Sequence, residues 1–225
     1  MPAGGGTTAI SILNQLSSQV GDPTEYANRR VAALCLQDPN LIDAIAAGLE
    51  GSNAALMGDC AEVLTLVAEQ HPEWAAPHAE ALAAQLSHKN TRVRWEAMHA
   101  LALIAVRTPE VIAPRLSTLG ELIQRDASVI VRDYAVDAVG HYAAAGPQAA
   151  EAAYPWLVSA LSAWNGKHAG RALTGLIHVA RHLPDLHPKL AAIADDYARS
   201  ERAVIRKAAK GLQKALKNRP GSGSS

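Results

Sequence analysis

Apolar residues recur along this chain at helical spacing, segment after segment. Across residues 91 to 107, Val93, Ala97, Ala100, Leu101 and Ile104 fall at i, i+4, i+7, i+8 and i+11. That is one stripe of an amphipathic helix, with Arg92, Glu96 and His99 off it. The stripe returns as Val131, Ala135, Ala138, Val139 and Tyr142, and near the C-terminus as Ile205, Ala208, Ala209, Leu212 and Leu216. Alanine within the stripe lets a neighbouring helix approach closely. Each of these segments follows a shorter apolar one, such as APRLSTLGELIQ or YPWLVSALSAW. The polar breaks between them, SHKN, QRDAS and WNGK, have the length of an antiparallel helix-hairpin connection.

Prolines expose the period. Pro72, Pro109, Pro147, Pro184 and Pro220 are separated by 37, 38, 37 and 36 residues, and Pro39 precedes the first by 33. A stack of equivalent units explains this, because each unit must stop its second helix at the same place and proline cannot continue a helix. A second set, Pro77, Pro114, Pro155 and Pro188, sits early in the first helices, where a bend is tolerated best. The spacing predicts six helical hairpins with breaks near residues 38, 72, 109, 147 and 184. They form one domain over residues 9–219, after a disordered segment 1–8 and before a flexible Gly/Ser tail 220–225. One hairpin cannot bury its stripe alone, whereas stacked hairpins share a continuous core.

Pro early in a first helix, a polar turn, then Val-Arg with Ala three residues on and Leu following: this pattern resembles the HEAT repeat. The resemblance is strong over residues 73–147, fair over 148–219 and weak over 9–72. The Asp of the full motif, six residues before the Arg, is present as Asp126 ahead of Arg132; His88 and Ser200 stand there ahead of Arg94 and Arg206. The Asp-Arg ladder that the resemblance implies is therefore incomplete. It implies an all-α, right-handed α-solenoid of about six stacked antiparallel hairpins, with an inner wall built from the second helices.

Composition agrees with helices: the apolar half of the chain is rich in Ala and Leu, and Phe is absent. Formal net charge is zero, so no global field selects nucleic acid or membrane. The distribution is polarised, however. Residues 1–112 hold 6 Lys/Arg against 12 Asp/Glu, a net of −6, and the remainder hold 15 against 9, a net of +6. Cys35 and Cys60 lie in apolar helical patterns and read as buried free thiols of a reducing compartment. MPAGGGTT lacks the regions of a signal peptide and no apolar run has the length of a span, so the expected location is cytoplasmic, without membrane contact.

Counting back 13, 10 and 6 residues from each terminal proline selects one face of every second helix, beside the core stripe. In order the face reads Asp59, Glu62, Leu66; Glu96, His99, Leu103; Tyr134, Asp137, His141; Arg171, Thr174, His178; Lys207, Lys210, Lys214. It runs from acidic through aromatic and histidine to basic. Such a wall suits a protein or peptide partner of complementary polarity, with Trp95 and Tyr134 as anchors. The bland alternative is a set of ordinary solvated faces. Residues 199–219 hold eight basic residues and one acid, and Arg202, Arg206, Lys210 and Lys214 form an i, i+4 stripe. That stripe fits phosphate tracking and equally fits the polar cap of a solenoid.

Catalytic signatures do not emerge. His178 and His182 at i, i+4 have metal-chelating spacing, with His187 nearby, but no carboxylate or Cys is placed in sequence to complete a set. There is no phosphate-binding glycine loop, nucleophile elbow or H-E-x-x-H. Hydroxylases with HEAT-like repeats hold iron through His-Glu pairs, and no His-Glu dipeptide occurs here. DNA glycosylases with such repeats use an aromatic and acidic cleft, which Trp95, Tyr134, Asp133 and Asp137 imitate loosely; no motif excludes a chromophore lyase. The sequence predicts a non-enzymatic interaction scaffold with no cofactor and no metal, binding a protein or peptide along the second helices. Nucleic-acid binding through the basic C-terminal helix, glycosylase-like in one form, is the alternative.

Overall fold

In a computed structural model, the protein is described over residues 12–218, all of whose regular elements are helical. The expected segment 1–8 and the tail 220–225, with Pro220, lie outside the described residues. The chain divides between Val111 and Ile112 into two compact units.

The N-terminal unit contains α1 (Ser17–Val20), α2 (Tyr26–Gln37), α3 (Leu41–Ala47), α4 (Ala54–Ala68), α5 (Pro72–Ala75), α6 (Ala79–Ala83) and α7 (Thr91–Ile104). Asn53 caps α4 by accepting from the amides of Ala55 and Leu56, and Asn90 caps α7 through Arg92 and Val93. The polar break SHKN therefore supplies the cap of the helix it precedes. Pro72 is the first residue of α5, and Pro77 lies in a 3-10 turn, Ala76–His78, that divides α5 from α6. The predicted stripe Val93, Ala97, Ala100, Leu101 and Ile104 is fully buried.

After α8 (Pro109–Ile112), at the boundary, the C-terminal unit contains α9 (Leu116–Arg125), α10 (Val129–Tyr142), α11 (Pro147–Gly166), α12 (Ala169–His182), α13 (His187–Tyr197) and α14 (Ala203–Lys217). Val131, Ala135, Ala138 and Val139 are fully buried and Tyr142 nearly so; Ile205, Ala209 and Leu212 are buried, while Ala208 and Leu216 are half-exposed. Pro155 is carried inside α11. That helix loses helical geometry at Ala163, and Trp164, Asn165 and Gly166 then follow in left-handed conformation, at φ 51°, 55° and 72°. A left-handed tryptophan is costly. Its indole offsets the strain by donating Nε1–H to the Ile123 carbonyl at 3.1 Å and by lying 3.7 Å beneath the Arg132 guanidinium.

The recurring Val-Arg pair has a common geometry. Val93, Val131 and Ile205 enter the core. The arginine that follows each turns back onto the preceding turn: Arg94 donates to the carbonyls of His88 and Lys89, Arg132 to those of Asp126 and Ala127, and Arg206 to those of Ser200 and Glu201. A guanidinium has donors enough to satisfy two carbonyls the helix leaves open. These bonds go to backbone oxygens, which Asp126, His88 and Ser200 supply alike six residues before the arginine.

Candidate functional site

In the N-terminal unit, α4 and α7 present their polar faces to one another. Arg92 on α7 reaches Asp59 through Nη1 at 2.8 Å, Glu62 through Nη2 at 2.8 Å and Glu25 at 3.3 Å. Asn28 on α2 donates to both Asp59 and Glu62 at 2.9 Å, and the amide of Ser18 donates to Asp59 at 2.7 Å. Burial alone raises the Asp59 carboxyl, but the bonds from Ser18, Asn28 and Arg92 outweigh it and hold the group below its usual range. Glu62 goes the other way, because burial and the nearby Glu25 outweigh Asn28 and Arg92. Glu96 is pushed up to about 8, first by burial and then by Glu62.

These three carboxylates were expected on an open wall. Asp59, Glu62 and Glu96 are instead 1%, 8% and 3% exposed, which corrects that expectation. A charge adjacent to a core stripe is covered when a neighbouring helix brings a partner to it, as Arg92 and Asn28 do for Asp59 and Glu62; Glu96 is covered with its carboxyl raised to about 8. Trp95 and His99, also expected on the face, are half-exposed on α7. A separate groove of about 550 Å³ lies along the first helices α3 and α6, where His78 stands 3.4 Å from Asp43.

In the C-terminal unit the same register gathers Tyr134, Asp137 and His141 of α10 against Arg171 and His178 of α12. Arg171 pairs with Asp137 through Nη1 and with Asp133 through Nε at 3.2 Å, and its guanidinium lies 5.7 Å from the Tyr134 ring. His141 and His178 meet edge-on at 6.3 Å. Burial holds Asp137 above the usual carboxylate range despite Arg171 and His141. Burial, then Arg181, His141 and His182, lowers His178. Among the described residues no three His, Cys, Asp or Glu side chains are arranged to hold a metal ion.

Beyond these contacts the surface opens. A groove of about 540 Å³ crosses the faces of α10, α12 and α14. Its lining comes from Asp137 of α10, from Gly170, Arg171, Thr174 and Ile177 of α12, and from Val204, Lys207, Ala208 and Gly211 of α14. Val204 packs beside Gly170 and Ile177 beside Gly211 at ordinary van der Waals distance: a Cβ built on Gly170 would meet Val204 at 3.7 Å, and one on Gly211 would meet Ile177 at 3.5 Å. Thr174 is exposed, and its hydroxyl donates to the Gly170 carbonyl at 3.0 Å. Lys207, Lys210 and Lys214 are exposed on α14, and Lys210 stands outside the groove lining.

Residues outside the expected set hold this site in place. Asp133 bridges Arg171 and His168, whose Nδ1 is 2.7 Å away, and the other ring nitrogen of His168 accepts from Arg132 Nε at 3.1 Å. These contacts specify the tautomer with the proton on Nδ1. The sequence signal for such pairs is separation by about one repeat: Arg92 with Asp59 at 33 residues, Arg171 with Asp137 at 34, and Arg132 with His168 at 36. Cys35 and Cys60 are free, and burial pushes their thiols up to about 11 and 12, so neither is an activated nucleophile.

No family model and no curated protein matches the sequence. Solved structures do match. An engineered protein aligns with a TM-score of 0.73 and 18% identity over 93% of this chain and 96% of that one. A designed armadillo repeat protein in complex with the peptide (KR)4 aligns at 0.71 and 18% over 92% and 98%. An archaeal HEAT-like repeats protein from Thermococcus onnurineus aligns at 0.56 and 13% over 96% and 98%. At such identities the likeness concerns fold. The protein has a HEAT/armadillo-like repeat fold, an all-α solenoid of helical hairpins.

Proposed function

We propose that this protein is a non-enzymatic repeat scaffold that binds a protein or peptide segment on its second helices, with the C-terminal unit as the working part. The observation that carries this reading is the groove across α10, α12 and α14: it is open, preformed and lined in part by the small residues Gly170, Ala208 and Gly211. Supporting it, one structural neighbour is a designed armadillo protein in complex with a peptide and another was designed for modular peptide recognition. Asp59, Glu62 and Glu96 do not belong to the contact face, because all three are buried and the first two are bonded to Asn28 and Arg92. The buried free thiols fit the expected reducing, cytoplasmic setting. Exposed Lys207, Lys210, Lys214 and Lys217 favour nucleic acid as a second reading.

The test is selection of a displayed random-peptide library on the immobilised protein, followed by calorimetry of enriched sequences. Thr174 is exposed in the groove, so Thr174→Trp fills it without touching the core. Enriched peptides should bind the wild type and lose about tenfold or more on the variant, with an unchanged thermal midpoint. No enrichment, or binding indifferent to Thr174→Trp, rejects the groove.

A further inference from the structure

We infer that the segment this groove accepts is acidic, with an aliphatic side chain set between Asp or Glu residues. The inference rests on the peptide-binding reading and adds the chemical class of the partner. Charge decides it first. Arg171 is already neutralised by Asp133 and Asp137, so the cations left uncompensated at the groove are lysines of α14. Lys207 lines it, Lys210 follows on the same helix, and both are exposed without an ion pair among the described residues. An anionic group entering there meets positive charge; a cationic one meets repulsion.

The apolar part of the lining decides the rest. Val204 is 62% exposed at the first turn of α14 and lies beside Gly170, while Ile177 lines the groove further along, beside Gly211. An aliphatic side chain of the ligand set over Val204 would remove this apolar surface from water. Nucleic acid fits less well. The nearby Tyr134 ring is engaged by Arg171 and provides no stacking platform for a base.

The test compares three labelled probes on the full chain: a short peptide of repeating Glu-Leu-Asp, its Lys-Leu-Arg counterpart, and a DNA duplex, each at about 50 and about 200 mM salt. The acidic peptide should bind and the basic one should not. Lys207→Glu and Val204→Ser, both at exposed positions, should each weaken it by about tenfold, with thermal midpoints near wild type. Duplex binding with a steep salt slope and no acidic-peptide binding overturns the inference in favour of nucleic acid. Selected peptides of neutral or basic composition that respond to Thr174→Trp also overturn it, yet leave the peptide-binding groove standing. Failure of every probe and of the selection removes both.

Discussion

Gly140 of α10 and Gly175 of α12 bring their helices together backbone against backbone: a Cβ placed on Gly175 would lie 2.9 Å from the Gly140 Cα and 2.8 Å from a Leu157 methyl. This crossing sets the spacing of the two helices whose outer faces carry Asp137, Arg171 and Thr174.

Gly175→Ala therefore tests the crossing directly. Helix propensity alone favours alanine by about 1 kcal/mol. Overpacking against a backbone atom costs about 1 to 3 kcal/mol, because backbone cannot swing aside as a side-chain tip does. We expect net destabilisation in urea titrations; a stabilised variant would show that the helices separate at no cost.

Glu96 supplies a pH signature. Its carboxyl is raised from 4.5 to about 8, so between those values the folded state retains a proton that the unfolded chain has released. Stability must therefore fall as pH rises through that window. Glu96→Gln should flatten the fall and exceed the wild type at pH about 8 by on the order of 2 to 4 kcal/mol. Parallel wild-type and variant pH profiles would mean that Glu96 titrates normally.

Arg92 holds the N-terminal polar cluster. Arg92→Met leaves Asp59 and Glu62 buried without their cation, at a cost of about 3 kcal/mol. Adding Glu62→Gln should recover part of that loss, and a double-mutant cycle measures the coupling. A single-variant loss under about 1 kcal/mol would place the cluster among ordinary surface ion pairs.

Much of the helical organisation was legible because its causes are local. Val131, Ala135, Ala138 and Val139 were picked out by spacing alone and are fully buried. Asn90 and Ser128, inside the polar breaks SHKN and QRDAS, cap the helices that follow. The incomplete Asp-Arg motif looked like a defect, yet Arg94, Arg132 and Arg206 all bond the same pair of backbone carbonyls, which every residue type supplies.

By itself the sequence determined where helices start, stop and turn their apolar stripes, since periodicity, caps and prolines act over one or two turns. Which charges are available to a partner was decided only by tertiary structure. Glu62 and Lys210 occupy the same register on their helices, yet Glu62 is buried against Asn28 and Arg92 and Lys210 stands exposed. Their difference comes from what the neighbouring elements bring to that face: in the N-terminal unit α2 and α7 deliver an amide and a guanidinium that satisfy a carboxylate out of water, and on α14 no described residue pairs the lysine.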